Sequence, residues 1–499
     1  MSFLFPQDYL VVQRQEEGHQ ELIPAASFRD PSGSVVPIEG RILRVVSESG
    51  AEDLRAFLKS STAQRFMDAG RVARTQILDE AETGRLLGDA GLKAVFQKQA
   101  GQLLVEHERI HFPSFPYEWP PEMLHAAAEL TLELARGLLK EGLGLKDGTP
   151  YNVLFRGAEP VFIDLLSFER RDPDDPTWLP YAQFVRTFLL PLLANKYFGL
   201  PLDQILSTRR DGLEPEEVYR WLKPSQKFRP PFLSLVSMPA WLAARHDQDD
   251  AAIYRKRFCG NPEKARFILE SLLRRLGRTL RGLAPEGGRS SVWSEYTATH
   301  SYSAEQLAVK QAFVEQAVAE FSPKRVLDVG SNTGQFSAIA ARAGASVVAI
   351  DYDPVVLGEL WRSARAERLD ILPLAVNLTR PSPGIGWRNL ECPSFLDRAR
   401  GAFDGLLMLA VVHHMLVTER IPLADILDLA AELTTGLAII EFIGPADAMF
   451  RRLTRGRDEL HRDLTPALFE ATARQRFEIV RSQHSEGASR WLYLLRKRG

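Results

Sequence analysis

The stretch Arg325-Val-Leu-Asp-Val-Gly-Ser-Asn-Thr-Gly-Gln-Phe-Ser337 decides the fold of the second half of this chain. It opens with the compact apolar run of a buried parallel strand. Gly330 and Gly334 then allow a sharp turn and a close approach of the backbone to a ligand. The residues that follow, as far as Ala343, have helical spacing. The stretch therefore predicts a strand, a turn and a helix beside a ligand.

A second feature of the sequence is Asp351, which follows Gly330 at a spacing typical of nucleotide-binding sites. The apolar run 346–350 predicts another strand, which ends at Asp351. Asp351 lies 21 residues after Gly330, the spacing at which an acid reaches a ribose hydroxyl in a βαβ nucleotide site. Asn332 stands where a dinucleotide fingerprint has its middle glycine, and the carboxylate of Asp328 repels a phosphate but attracts an amine. A ligand with an amino-acid head and an adenosine tail fits both acids.

These residues resemble the first two motifs of class I S-adenosylmethionine-dependent methyltransferases, with Asn332 as a departure from the family's middle glycine. The resemblance implies an α/β domain with a Rossmann-like seven-stranded sheet and S-adenosyl-L-methionine as the cofactor. The residues that it implies for cofactor binding are Asp328, Gly330, Ser331, Asn332, Gly334, Asp351, Tyr352, Asn377, Leu378 and Ala410. Asn377 follows the predicted third strand, and its amide oxygen can accept a hydrogen bond from the adenine amino group.

Three residues are candidates for removing the acceptor proton. His413 and His414 follow the fourth predicted strand, at the sheet edge where open α/β sheets bind ligands. Either imidazole suits proton removal near pH 7; the alternative is that both orient the loop or pack beside the cofactor. Adjacent histidines point in different directions, so we expect no metal site there. Glu441, with Asp447 behind it, is the first choice for an acceptor-side acid: apolar neighbours raise a carboxyl pKa, so Glu441 can act as a base, or it can hold the substrate by hydrogen bonds.

Four further residues are candidate acceptor contacts. Tyr296 and Tyr302 lie in a segment that folds over the cofactor in many class I methyltransferases; equally, the segment can attach the next helix to the domain surface. Lys310 on that helix is either a solvated charge or a substrate-facing cation. Trp387 belongs to a long insertion, residues 381–396, that can contribute to the acceptor pocket.

The first half of the chain contains a different pattern. A long predicted helix, residues 122–140, precedes Asp147, Asn152 and Asp164. This order resembles the protein-kinase and aminoglycoside-phosphotransferase superfamily over about residues 28–280. The resemblance implies a catalytic base at Asp147 and metal-binding side chains at Asn152 and Asp164.

Several parts of that pattern are missing. The sequence has no glycine-rich phosphate loop and no Val-Ala-Ile-Lys strand, and Leu165-Leu166 follow Asp164 in place of Phe-Gly. The departures favour a degenerate α+β kinase-like domain that serves as a scaffold. The alternatives are an active small-molecule kinase and a simple turn that Asp147 and Asn152 close.

Composition sets the broad class. The chain has 499 residues, 45% of them hydrophobic and 25% charged, a net charge of −2 and two cysteines. This length exceeds that of a single core, and the balanced charge gives no general attraction to nucleic acid. Cys259 and Cys392 are too few for a disulfide framework or a cysteine metal site. We expect a soluble, unprocessed, cytoplasmic protein with no membrane span and no metal, and the sequence says nothing of its oligomeric state.

The Pro- and Gly-bearing segment at 284–291 is the clearest linker. We therefore predict a kinase-like domain at 1–283, a linker at 284–292 and a methyltransferase domain at 293–499. Within the first domain we expect a hairpin over 28–46, with Asp30-Pro-Ser-Gly33 as its turn, and a helix over 51–69.

The predicted function is methyl transfer from S-adenosyl-L-methionine to an oxygen or nitrogen of an acceptor. A small-molecule or glycan acceptor is favoured over nucleic acid. The C-terminal arrangement also resembles the methyltransferase domain of nodulation-type proteins found in bacteria. Two alternatives remain open: kinase activity in the N-terminal domain, and a non-catalytic scaffold that binds S-adenosyl-L-methionine.

Overall fold

The computed structural model describes residues 15–16, 19–20, 30–244, 258–288, 291, 303–456 and 458–498. The chain divides into two compact units. The N-terminal unit comprises Met1–Phe155, Glu159–Glu286 and Ile385–Cys392. The C-terminal unit comprises Arg156–Ala158, Gly287–Gly384 and Pro393–Gly499. Tyr296 and Tyr302, which are predicted acceptor contacts, lie outside the described residues.

The strands described in the first part of the chain are β1 (Gln15–Glu16), β2 (His19–Gln20), β3 (Gly33–Ile38), β4 (Arg41–Ser47), β5 (Thr75–Ile77), β6 (Gly101–His107), β7 (Leu143–Leu145), β8 (Val153–Arg156), β9 (Glu159–Phe162) and β10 (Phe168–Arg170). Four of them form an antiparallel sheet in the N-terminal unit, in the order β3-β4-β6-β5. Val36, Leu43 and Leu104 of this sheet pack in a buried hydrophobic cluster with Leu86 and Leu92.

The predicted hairpin is confirmed as β3 and β4, but the prediction of its turn was wrong. The two strands are joined by Glu39 and Gly40, which have φ values of 51° and 78°. Two-residue hairpin loops of this kind need positive φ at both positions, because that geometry matches the twist of the strands. The Asp30-Pro-Ser-Gly33 segment instead leads into β3.

The helices of this unit are α1 (Glu48–Lys59), α2 (Ser61–Asp68), α3 (Glu80–Leu86), α4 (Ala90–Lys98), α5 (Pro121–Leu139), α6 (Tyr181–Phe184), α7 (Leu190–Phe198), α8 (Leu202–Leu206), α9 (Pro215–Trp221), α10 (Met238–Ala243) and α11 (Pro262–Gly282). The single helix predicted over 51–69 is broken at Ser60, which is extended at ψ 142° and caps α2 through its side chain. Serine favours this capping role over a helix interior. The long helix α5 is confirmed, with Pro121 in its first turn.

The C-terminal unit contains a seven-stranded sheet, as predicted. Its strands are β11 (Arg325–Val329), β12 (Ser346–Asp351), β13 (Ile371–Ala375), β14 (Phe403–Met408), β15 (Thr434–Ile443), β16 (Phe477–His484) and β17 (Arg490–Lys497). The order is β13-β12-β11-β14-β15-β17-β16. The first five strands are parallel, and β17 is antiparallel to both of its neighbours, which confirms the closing hairpin.

The helix α12 (Ala304–Phe321) precedes the first strand of this sheet. The helices between its strands are α13 (Gln335–Arg342), α14 (Pro354–Glu367), α15 (Phe395–Ala399), α16 (Val412–Val417), α17 (Leu423–Leu433), α18 (Ala448–Thr454) and α19 (Pro466–Ala473). The chain runs outward from β11 through β12 to β13 and then returns to the other side of β11 as β14. The order of the strands therefore reverses beside β11. Open α/β sheets bind ligands at the carboxyl ends of their strands at such a point.

Candidate functional site

A cavity of about 550 Å³ lies at this reversal point in the C-terminal unit. Eleven of the residues predicted for the site line it: Lys310, Asp328, Gly330, Ser331, Asn332, Asp351, Tyr352, Asn377, Leu378, Ala410 and His414. Four described candidates are not among its lining residues: Gly334, Trp387, His413 and Glu441. The topology therefore brings together residues that are spread over about a hundred positions of the chain.

The turn after β11 depends on backbone conformations that few residues adopt. Gly330 and Gly334 have φ values of 73° and 83°. A Cβ at Gly334 would lie 2.1 Å from Leu360 Cδ1, so a side chain there would also clash. Asn332, in place of the middle glycine, has a φ of 50°, which asparagine tolerates better than most side chains. The departure from the family pattern thus leaves the turn intact.

Asp328 is buried at the end of β11. It accepts a hydrogen bond from Ser337 Oγ at 2.6 Å, and Ser337 lies on α13. Burial raises the pKa of Asp328 to about 6, although the hydrogen bond from Ser337 and the charge of Lys310 act in the opposite direction. The carboxylate is therefore mostly ionised at pH 7 and is held in an orientation that lines the cavity.

Asp351 stabilises the turn from the neighbouring strand. One of its oxygens accepts from the backbone N–H of Asn332 at 3.0 Å, and the other accepts from the N–H of Asp353 at 3.0 Å. The pKa of Asp351 is raised overall, because the effect of burial exceeds that of these backbone hydrogen bonds, which lower the pKa. Each carboxylate oxygen has two acceptor positions, so the group can accept further hydrogen bonds from a ligand.

Two other lining residues have features that suit a bound ligand. Ser331 is buried, and its hydroxyl has no hydrogen-bond partner within the described part of the chain. A buried hydroxyl without a hydrogen-bond partner destabilises a protein unless a ligand or a water molecule forms a hydrogen bond with it. Ala410 follows β14 with a φ of 57°, an uncommon conformation for a residue with a side chain. Its small side chain leaves the cavity open at that point.

Asn377 lines the cavity, but its amide oxygen is already engaged. The oxygen accepts from the backbone N–H of Thr379 at 3.0 Å and from Thr379 Oγ1 at 2.7 Å. A carbonyl oxygen has two lone pairs, and both are used. The hydrogen bond expected from an adenine amino group would have to replace one of these two. Asparagine commonly closes such local turns, which sequence spacing alone does not reveal.

The adjacent histidines differ in access. His414 lines the cavity, whereas His413 is 1% exposed. Their ring centroids are 4.2 Å apart with an angle of 47° between the planes. Burial lowers the pKa of both imidazoles, and for His413 the neighbouring His414, Arg490 and Lys310 lower it further. Within the described residues neither ring nitrogen of His413 has a hydrogen-bond partner. His413 therefore packs as a neutral ring behind His414.

The structure corrects the expectation for Glu441. Its carboxylate is 1% exposed and accepts a hydrogen bond from Lys310 Nζ at 2.7 Å. A carboxylate that is held by a buried ammonium and lies outside the cavity lining is poorly placed to remove an acceptor proton. The same pair excludes a solvated Lys310, which is buried, lines the cavity and lies with Nζ 5.0 Å from the centre of the Phe336 ring.

Asp447, expected behind Glu441, has a structural role. It caps α18 and forms a buried ion pair with Arg490, whose Nε lies 2.8 Å from Asp447 Oδ2. Sequence reasoning missed Arg490, Ser337 and Phe336. The sequence gives no signal for Arg490, because this residue comes close to Asp447 only when β17 pairs with β15. In that antiparallel pairing Arg490 lies opposite Ile443.

The kinase-like residues and Trp387 belong to the N-terminal unit. Asn152 Nδ2 donates to Ser167 Oγ at 3.0 Å, and Ser167 Oγ donates to Asp164 at 2.7 Å. The backbone carbonyl of Asp147 accepts from Asn152 Nδ2 at 3.5 Å, and its side chain is hydrogen-bonded to Gln183; partial burial raises the pKa of this carboxyl. Trp387 is 62% exposed and is not among the residues that line the cavity.

Across the described residues no cluster of three or more histidine, cysteine, aspartate or glutamate side chains is arranged to hold a metal ion. Within the same residues no helix is long and apolar enough to cross a membrane.

The strand order and the cavity lined by Asp328, Gly330 and Asp351 define the C-terminal unit as a Rossmann-like ligand-binding domain with a methyltransferase fold. The chain belongs to the family of the nodulation protein NoeA. It is 31% identical to NoeA of Rhizobium meliloti (strain 1021) over 475 residues, which cover 94% of this chain and 95% of that protein. No family model matches the chain.

Two solved structures are similar to part of the chain. One is the N-methyltransferase NodS from Bradyrhizobium japonicum WM9 in complex with S-adenosyl-L-homocysteine, with 14% identity over 39% of this chain and 88% of that chain, and a TM-score of 0.29. The other is the bifunctional kinase-methyltransferase WbdD, with 17% identity over 40% of this chain and 41% of that chain, and a TM-score of 0.28.

Proposed function

We propose that the C-terminal unit binds S-adenosyl-L-methionine and transfers its methyl group to an oxygen or nitrogen atom of a small-molecule or glycan acceptor. The observation that carries the proposal is the pair of carboxylates, Asp328 and Asp351, on either side of the positive-φ turn. The cavity beside them, about 550 Å³, lies within the range of small-ligand sites.

The lining offers a suitable group to each part of this cofactor. Asp351 can accept hydrogen bonds from the ribose hydroxyls, and Tyr352 and Leu378 provide apolar surface for the adenine. Asp328 attracts the ammonium of the amino-acid part, and Lys310 attracts its carboxylate. The fit to a zwitterion follows from the opposite charges of these two neighbouring residues, since the charge of Lys310 acts on Asp328.

When bound, S-adenosyl-L-methionine supplies a methyl group that its positive sulfur makes electrophilic. The residues of the chain align the acceptor atom with that methyl group and exclude water. His414 lines the cavity, and its lowered pKa keeps the imidazole neutral at pH 7. It can therefore take the proton from a hydroxyl or amine as the acceptor attacks. His413 packs against His414 and fixes its ring.

The charges of the lining favour the acceptor class. Asp328, Asp351 and Glu419 line the cavity together with the cation Lys310; Lys310 is paired with Glu441, and Glu419 is paired with Arg380. A lining with an excess of carboxylates repels phosphates. Nucleic-acid binding instead depends on lysine and arginine contacts to phosphates. The cavity thus supports an uncharged or amine-bearing acceptor.

Calorimetric titration of the full chain with S-adenosyl-L-methionine tests the cofactor. We expect Asp328→Ala and Asp351→Ala each to weaken binding by about tenfold or more, since each removes a charged contact. Glu367→Gln is the matched control, because Glu367 is a half-exposed acid on α14 that pairs with Arg342. An absence of binding, or equal affinity for all four proteins, overturns the proposal.

Transfer of a labelled methyl group onto a cell extract, with mass-spectrometric identification of the product, tests the reaction. The wild-type chain should label one or a few small molecules or glycans, and Asp351→Ala should abolish the label. Cofactor binding without any transfer would instead support the non-catalytic scaffold.

A further inference from the structure

The polar interior of the N-terminal unit is organised around Arg44 on β4. Its Nη1 donates to Asp164 Oδ1 at 2.8 Å, and its Nη2 donates to Asp30 Oδ2 at 2.6 Å. Arg44 is 1% exposed and Asp164 is 4% exposed. A guanidinium therefore lies between two carboxylates, almost out of contact with solvent.

The second oxygen of Asp164 is also engaged. Ser167 Oγ donates to it at 2.7 Å, and Ser167 accepts in turn from Asn152 Nδ2 at 3.0 Å. Both oxygens of Asp164 therefore accept hydrogen bonds from protein donors, and the guanidinium of Arg44 supplies the counter-charge to the carboxylate.

The cluster lies where the kinase-like pattern predicts metal ligands. In metal-dependent phosphotransferases an asparagine and an aspartate of this order present oxygen atoms to Mg²⁺. Here the Asn152 amide group donates to Ser167 and both Asp164 oxygens accept from protein donors. The cation that faces Asp164 is Arg44.

A guanidinium is harder to displace than a bound ion. It stays protonated at all physiological pH values and is attached to β4. Mg²⁺ requires near-octahedral oxygen ligands and loses its water reluctantly. A divalent cation at Asp164 would therefore have to expel a buried like charge from its two carboxylates, and breaking buried ion pairs is strongly unfavourable.

We propose that Arg44 takes the place of a divalent cation in the N-terminal unit, and that this unit is a metal-free scaffold that transfers no phosphoryl group. The proposal does not depend on methyl transfer in the C-terminal unit.

The first experiment compares the full-length wild type with Asp164→Asn. Binding of Mn²⁺ is followed by electron paramagnetic resonance, and turnover of ATP is measured with Mg²⁺ present. We expect the same Mn²⁺ binding curve for both proteins and no ATP turnover in either. A Mn²⁺ site or an ATP turnover that the wild type has and Asp164→Asn lacks overturns the proposal, and this comparison decides it without any further variant.

The second experiment asks whether a metal ion can replace the guanidinium. Arg44→Ala removes the cation between Asp30 and Asp164, so we expect its melting temperature to fall by on the order of 10 °C. Millimolar Mn²⁺ should recover at least half of that loss, and it should have no such effect on Arg44→Ala/Asp164→Asn. A folded Arg44→Ala protein that Mn²⁺ leaves unchanged contradicts the assignment.

Arg41→Ala is the matched control, because Arg41 lies on the same strand and pairs with Glu106 and Glu82 in a partly exposed position. Its melting temperature should change little and should not respond to Mn²⁺.

Discussion

At the scale of one residue, Asp328 makes the stability of the C-terminal unit depend on pH. Its pKa is raised by burial from 3.8 to about 6. Between these values the folded chain keeps a proton that the unfolded chain has lost, so stability is present below pH 4 and is lost as pH rises to about 6. A shift of this size corresponds to ~3 kcal/mol. The ligand-free protein thus bears the cost of an ionised carboxylate at pH 7.

Asp328→Asn should therefore raise the stability of the ligand-free protein at pH 7, by up to ~3 kcal/mol if the hydrogen bond from Ser337 is kept. Urea denaturation at pH 4.5 and pH 7 measures this, and the gain should shrink at the lower pH. The same variant should bind S-adenosyl-L-methionine more weakly. Equal loss of stability at both pH values would show that Asp328 has only a structural role.

At the same scale, the sequence predicts residue positions better than residue partners. Asp328, Asp351 and the turn glycines are predictable, because a strand followed by a tight turn constrains its neighbours strongly. The engagement of Asn377 with Thr379 and the buried position of Glu441 are not. Those properties depend on local turn geometry and on which helix covers the end of β15.

At the scale of elements, the pair Lys310–Glu441 fixes α12 to β15. Glu441→Leu removes the charge partner of a buried ammonium and should destabilise the chain by ~3–5 kcal/mol. The double variant Lys310→Met/Glu441→Leu replaces the pair with apolar groups and should recover most of that loss, because buried ion pairs are often dispensable as pairs. Chemical denaturation of the wild type, Glu441→Leu, Lys310→Met and the double variant completes the double-mutant cycle.

If the losses of stability in the two single variants added up to the loss in the double variant, Lys310 and Glu441 would not be energetically coupled, and their ion pair would not contribute to stability. The cycle also addresses the corrected assignment of Glu441. A catalytic base would lose methyl transfer in Glu441→Gln without a loss of stability.

The elements themselves follow from local patterns. Apolar residues predominate in the parallel strands, and the hairpin of β16 and β17 has a polar turn between two largely apolar segments. The pairs Lys310–Glu441 and Arg44–Asp164 bridge 131 and 120 residues. No period or motif marks such long-range pairs, since the partners meet only after the sheets and helices have packed.

At the scale of the whole molecule, the two units are compact, and each has a core of its own, so the chain need not unfold in one step. S-adenosyl-L-homocysteine should increase the free energy of unfolding of the C-terminal unit by ~2.7 kcal/mol at a hundredfold excess over its Kd. Only the melting transition of that unit should therefore move to a higher temperature. Arg44→Ala should lower only the other transition, because Arg44, Asp30 and Asp164 all belong to the N-terminal unit. Differential scanning calorimetry of the full chain measures both shifts, with Arg41→Ala as the control. A single transition that responds to both changes would mean that the units unfold together.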